Sequence, residues 1–214
     1  MDKVYLIAGL GADKRLFNNI NLPGYEMIHV DWFLPDKSDT LTDYAEKIIN
    51  QYYIETDDVV LGDSLGGMLA VEVGKKLSLK KTIVISSIKT SDEAPWYFTV
   101  FRRLPVYKII PDFLFTSMGF MIKVVFGKMH QEDLALFKSM LANSSPAFMR
   151  WAMHAVLTWK NYEIPVNTVH ITGDKDMVFS HKRIKNATII PGGTHIMVFD
   201  RAKELNEILQ KIID

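Results

Sequence analysis

Short, mainly apolar runs recur along the chain: Val4 to Ala8, Glu26 to Val30 after the Pro23-Gly24 turn, Asp58 to Leu61, Thr82 to Ser86, Val166 to Thr172 and Ala187 to Ile190. Near-continuous runs of this length mark strands buried on both faces, because neither side meets water. Between them the period changes to that of helices. Leu41, Tyr44, Ala45, Ile48, Ile49 and Tyr52 fall on one helical face, behind Thr40 and Asp43, which are spaced as a capping box. Leu65, Leu69, Val73 and Leu77 form a second stripe with Met68 beside it, and Gly66, Ala70 and Gly74 form a row of small residues that lets a helix lie close against a sheet. Leu205, Ile208, Leu209 and Ile212 give the last helix an apolar face. Strands separated by helices in this rhythm predict an α/β fold, a mostly parallel central sheet with helices on both faces.

The rhythm breaks between residues 95 and 162, where no strand is predicted and prolines stand at 95, 105, 111 and 146. The expected organisation is therefore a core of residues 1–94 and 163–214, with 95–162 inserted as a helical cap. Eight of the twelve Phe, three of the four Trp and six of the eleven Met fall in the insertion. Such side chains either line an apolar pocket above the sheet or build a small core of their own. The most apolar part, Phe113 to Phe126, is interrupted by Ser117, Gly119 and Lys123 and is shorter than the ~20 residues of a membrane span. Eight Lys or Arg in the insertion face three acids. A solvated outer face is the expected use of these cations, and steering of an anionic substrate the alternative.

Composition removes several function classes. Lys plus Arg and Asp plus Glu are both 25, so the overall balance points to neither nucleic acid nor a membrane surface. There is no cysteine, which excludes disulfides, thiol nucleophiles and thiolate metal sites and agrees with a cytoplasmic location. Met1-Asp2-Lys3 and the apolar residues after it read as a first strand rather than a secretory signal. At 214 residues, one domain carrying an insertion is expected. The loop Gly9-Leu10-Gly11-Ala12 has Lys14 where a dinucleotide loop needs its third glycine, and no Walker motif occurs, so no cofactor is expected. No feature of the sequence sets the oligomeric state.

The candidate chemistry centres on Val59 to Leu69. An apolar strand runs into Gly62-Asp63-Ser64-Leu65-Gly66 and then into a helix, the order of a nucleophile elbow. The glycines let strand and helix pass without Cβ clashes while Ser64 points its hydroxyl out of the sheet. A serine hydroxyl needs a base within hydrogen-bond reach and an acid to orient that base. Gly173-Asp174-Lys175-Asp176 and Gly192-Gly193-Thr194-His195 both follow predicted strands, so Ser64, Asp174 or Asp176, and His195 share the carboxyl edge of the sheet, where ligands of open α/β sheets bind. The loop at 9–12, beside the elbow, is placed to supply half of an oxyanion hole. The histidines at 29, 130, 154, 170 and 181 carry no motif.

Through these three motifs, in the chain order Ser, Asp, His, the sequence resembles the α/β-hydrolases of the small lid-bearing kind. It is similar in particular to bacterial members that open with Gly-Leu-Gly-Ala-Asp-Lys-Arg, here residues 9–15. The resemblance implies Ser64 as nucleophile, His195 as general base and later acid, and Asp176, the final residue of Gly-x-x-Asp, as the orienting acid. It implies backbone amides of Leu10 and Leu65 as the oxyanion hole, with no metal or cofactor. The activity implied is cleavage of carboxylic esters or thioesters of small to medium apolar acyl groups through an acyl-enzyme. Acyl transfer, carbon-carbon bond hydrolysis and ligand binding without catalysis are the alternatives. Two positions depart from the pattern: Asp63 stands where relatives often carry histidine or another neutral residue, and Ala8-Gly9 replaces a common His-Gly pair. Asp63 either turns away into solvent or raises the pKa of the base.

Overall fold

The computed structural model describes residues 1–111 and 131–214, and the run from Phe113 to Phe126, with Asp112, Lys128 and His130, lies outside them. Six strands form the sheet: β1 (Asp2–Ile7), β2 (Tyr25–Val30), β3 (Val59–Asp63), β4 (Lys81–Ile85), β5 (Thr168–Gly173) and β6 (Thr188–Ile190). All neighbours pair in parallel in the order β2-β1-β3-β4-β5-β6. All six strands lie within two residues of the apolar runs at each end. β5 starts at Thr168 rather than Val166 because Asn167 takes a positive φ of 62° and turns the exposed Val166 away from the ladder.

Among the described residues the helices of eight or more residues are α1 (Leu41–Tyr52), α2 (Leu65–Lys76), α3 (Trp96–Arg103), α4 (Gln131–Asn143), α5 (Pro146–Thr158) and α6 (Ala202–Ile213). Alternate side chains of β1 go to opposite faces of the sheet. Val4 and Leu6 join Leu16, Phe17 and the α6 residues Leu205, Leu209 and Ile213 on one side. Tyr5 and Ile7 join α1 and α2 on the other. The start of α1 is the expected capping box, with Thr40 Oγ1 accepting from the Asp43 N–H at 3.2 Å and the Asp43 carboxylate accepting from the Thr40 N–H at 2.9 Å.

Among the described residues, the stretch between β4 and β5 contains no strand. Its described buried aromatics join the two main core clusters. Phe148 and Trp151 of α5 extend the α1 side of the main core, where the Trp151 ring packs tilted against Tyr44 at 4.6 Å between ring centroids and its Nε1–H donates to the Asp39 carbonyl at 2.8 Å. Trp159 donates to the buried carboxylate of Glu72 on α2 at 2.8 Å.

The small row on α2 sets how closely that helix meets the sheet. A Cβ added at Gly66 would lie 2.0 Å from the carbonyl oxygen of Ile7, and one at Gly74 would lie 2.4 Å from Thr82 Oγ1. Backbone cannot yield to such an overlap without moving a strand. Gly66→Ala is therefore expected to destabilise the fold by about 3 kcal/mol or more. Thermal or urea unfolding checks this, and an unchanged midpoint contradicts the packing described.

Candidate active site

β3 delivers the chain to Ser64 with no room for an ordinary turn. Ser64 takes φ 54° and ψ −114°, a conformation that costs a side-chain-bearing residue about 1–3 kcal/mol. Its surroundings hold it there: the Ser64 N–H donates to the Ile85 carbonyl at 2.9 Å, and the Ser64 carbonyl accepts from the Gly67 N–H at 3.0 Å, the Met68 N–H at 3.3 Å and the Ser87 hydroxyl at 2.5 Å. The turn closes because a Cβ at Gly62 would sit 2.0 Å from the Gly66 carbonyl oxygen and one at Gly67 would sit 2.6 Å from Ser87 Cβ.

The loops after β5 and β6 interlock in the same way. A Cβ on Gly173 would meet the Gly193 carbonyl oxygen at 2.0 Å, and the Lys175 N–H donates to that oxygen at 2.9 Å. The two aspartates then take different partners. Asp174 accepts from the Gly192 N–H at 2.7 Å and so braces the loop ahead of His195. Asp176 Oδ1 accepts from the N–H groups of Val178 and Phe179, both at 2.8 Å, and Oδ2 reaches His195 Nδ1 at 2.9 Å. His195 Nε2 is 3.0 Å from Ser64 Oγ. Of the predicted pair it is thus Asp176 that meets the imidazole. A carboxylate only accepts, so Nδ1 carries the proton in the neutral ring and Nε2 presents its lone pair to the serine hydroxyl.

The charges at this edge are buried. Burial by itself pushes the pKa of His195 down, but the charge of Asp176, its hydrogen bond and the charge of Asp63 outweigh it, and the net shift is upward. Asp63 does not turn into solvent. It is buried, its Oδ1 has no hydrogen-bond partner among the described residues, and its other oxygen lies 3.2 Å from where a Gly9 Cβ would stand. Burial raises its pKa to about 7, with His195 pulling down and Asp176 pushing up. The sequence offered solvation and a raised base pKa as the two outcomes, and the direction found is the second.

Leu10 and Leu65 border the same cavity as Ser64. Among the described residues neither backbone N–H donates to a backbone carbonyl. The cavity has a volume of about 640 Å³ and is walled by Met68, by Tyr97, Phe98 and Phe101 of α3, by Val106, Tyr107 and Ile110, by Met153, Val156 and Leu157 of α5, and by Met177, Val178 and Phe179 of the Asp176 loop. The Tyr97 hydroxyl donates to the Val178 carbonyl at 2.7 Å and the Tyr107 hydroxyl is hydrogen-bonded to His154 Nδ1 at 2.7 Å, so both are already engaged. Among the described residues no group of three or more His, Asp or Glu side chains is arranged to hold a metal ion.

One cluster near the site escaped the sequence reading. Lys89, Glu93 and His170 are all buried; the Lys89 ammonium pairs with Glu93, donates to the Lys185 carbonyl at 2.5 Å and lies 3.3 Å from His170 Nδ1. Burial, then the charge of Lys89, lowers the His170 pKa to about 4, leaving that ring neutral. The cluster ties the segment leading into α3 to the chain returning from the Asp176 loop. A Lys and Glu four apart read in sequence as a surface helix pair, so only the tertiary fold reveals it.

A model of the alpha/beta hydrolase family matches residues 4–208. No curated protein sequence matches the chain. Among solved structures, an esterase from Exiguobacterium antarcticum is 20% identical with a TM-score of 0.72, the match covering 100% of this chain and 92% of that one. A thermophilic esterase from Thermogutta terrifontis is 16% identical with a TM-score of 0.71, covering 100% and 91%. A bromoperoxidase from Bacillus anthracis is 18% identical with a TM-score of 0.73, covering 99% and 91%. At these identities the likeness is one of fold.

The buried Asp63 gives this site a distinct pH signature. Its folded pKa lies above the unfolded 3.8, so it contributes a cost that is absent below about pH 4, grows as the unfolded carboxyl ionises, and is complete near pH 7. Asp63→Asn is therefore expected to raise stability at pH 8 and to change little at pH 3.5. Denaturant melts at the two pH values check this, and an equal effect at both contradicts it.

Proposed function

The chain belongs to the alpha/beta hydrolase family, and from that premise we propose that it is a serine hydrolase of carboxylic esters or thioesters with small to medium apolar acyl groups. The observation that carries the proposal is the continuous hydrogen-bond chain from Asp176 through His195 to Ser64, beside an apolar cavity. Two of the fold neighbours are esterases, which agrees with it.

In the proposed reaction Ser64 Oγ attacks the acyl carbonyl carbon and its proton passes to His195 Nε2. Asp176 keeps the Nδ1 proton in place and stabilises the imidazolium. The developing oxyanion accepts from the N–H groups of Leu65 and Leu10, and a fixed donor of this kind contributes roughly 100- to 1,000-fold to rate. The tetrahedral intermediate collapses with cleavage of the bond to the alcohol or thiol, which takes the proton from Nε2. Water repeats the sequence on the acyl-enzyme and releases the acid. His195 must be neutral to start, so activity falls as pH drops through its raised pKa.

Residues 95–162 serve in this reading as a cap on a core of residues 1–94 and 163–214. Tyr97, Phe98, Phe101 and Met153 are apolar walls for an acyl chain. With both tyrosine hydroxyls engaged, the described wall offers a substrate hydrocarbon contact and little else. A charged acyl group would lose its hydration there without a partner.

A fluorophosphonate probe is expected to label Ser64 in the wild-type protein and not in Ser64→Ala, and the variant is expected to lose roughly a thousandfold or more in kcat/KM. An ester panel graded by acyl length and charge should show preference for short to medium apolar chains. Folded protein that takes no label, or activity that survives Ser64→Ala, would favour a non-catalytic ligand-binding role or a different site.

A further inference from the structure

Beyond the catalytic machinery, the wall of the cavity continues outward as an exposed apolar rim. Trp96, Val100 and Leu104 follow one another at four-residue intervals and so line one side of α3 and its end. Trp96 is 73% exposed and Leu104 64%, and Ile109, just beyond, is 82% exposed. Phe101 and Val106 belong to both surfaces, bordering the cavity while remaining exposed. Side chains of this size, grouped at the mouth of a cavity, mark a surface that meets something apolar.

The charges around the rim say what that something is. From Trp96 to Pro111 the chain carries Arg102, Arg103 and Lys108 and no acid. All three are exposed, and none forms an ion pair with a described residue. Residues 95–162 hold eight cations against three acids, leaving seventeen cations against twenty-two acids elsewhere, so the rim belongs to the net-positive stretch of a chain that is neutral overall. A second copy of this chain docking face to face would oppose these like charges across a two-fold axis. Exposed Trp and Leu interleaved with Arg and Lys on one short amphipathic element is the composition that lies in the headgroup layer of an anionic lipid surface.

We propose that the rim from Trp96 to Ile109 is a docking face for anionic lipid surfaces, holding the cavity mouth against the lipid so that apolar substrates enter without crossing water. Docking itself does not require catalysis, whereas substrate supply from the lipid rests on the hydrolase reading above. The peripheral mode is consistent with the helices, since among the described residues none is long and apolar enough to cross a membrane.

The test uses the full chain as Ser64→Ala, so that no hydrolysis intervenes, with phosphatidylcholine vesicles with and without about 30% phosphatidylglycerol. Three surface cations should favour the anionic vesicles on the order of a hundredfold, with the preference falling as salt is raised. Tryptophan emission should shift to the blue on binding, and the shift should largely vanish in Trp96→Phe. Leu104→Glu with Ile109→Glu should abolish sedimentation with vesicles while wild-type Ser64 carrying the same pair still hydrolyses a soluble short-chain ester. Equal binding to both vesicle types, binding that survives the Glu pair, or a concentration-dependent dimer that the Glu pair dissociates would each overturn the proposal. Failure of the fluorophosphonate label would overturn the hydrolase reading and leave this result standing.

Discussion

Most of the functional edge follows from how closely α2 is allowed to approach β1 and β3. Gly62, Gly66 and Gly67 remove the side chains that would hold the helix off, and the backbone at Ser64 is then forced to a positive φ that a looser turn would relax. The strain, about 1–3 kcal/mol, is over-determined by hydrogen bonds to Ile85, Ser87 and the first turn of α2. The geometry lifts the Ser64 hydroxyl towards His195 and makes Leu65 the first residue of a helix, with its N–H outside the helical ladder. The contact between Gly173 and Gly193 does the same for the other two loops, fixing the Asp176 and His195 backbones against each other.

Electrostatically the edge is more heavily loaded than a serine, a histidine and one carboxylate require. Two buried carboxyls act on His195, one through a hydrogen bond and one through space, and both favour its charged form against the desolvation that opposes it. Asp63 has no hydrogen bond from a described residue to offset its burial at Oδ1, so it resists ionisation up to about pH 7. Lys89 with Glu93 forms a second buried ion pair behind the site, satisfied by the Lys185 carbonyl and N–H. That pair anchors the route into α3, while the Tyr97 hydroxyl joins α3 itself to the Asp176 loop. The α3 part of the pocket wall is therefore tied directly to the loop that carries Asp176.

Local patterns made much of this legible in the sequence. Strand runs, the Thr40–Asp43 capping box, the small row of α2 and the three glycine-bearing loops each express a short-range constraint, so each can be read without knowing the fold. The separation of Asp174 from Asp176 came only from the resemblance, because Asp176 meets the nearby amides of Val178 and Phe179 whereas the partner of Asp174, the Gly192 amide, lies on a different loop. Long-range packing was not legible. Nothing near Trp151 in sequence points to Asp39 or Tyr44, so its place in the main core, rather than in a core of the insertion, is set only by tertiary contact. Asp63 is similar, because the same residue in a shallower turn would be solvated. The excess of cations over residues 95–162 was countable in the sequence, but which of them stand beside exposed apolar side chains, as Arg102, Arg103 and Lys108 do, depends on the fold.

The central claim is that Asp176, and not its neighbour two residues earlier, orients the imidazole that activates Ser64. The most direct measurement is the rate of fluorophosphonate reaction at Ser64 in Asp176→Asn and Asp174→Asn, each shown to be folded by its thermal melt. The account predicts a loss on the order of ten-thousandfold for Asp176→Asn, with Asp174→Asn retaining a rate within about tenfold of wild type because it braces a loop and does not touch the ring. Equal losses in the two variants, or a near-wild-type rate in Asp176→Asn, would contradict it.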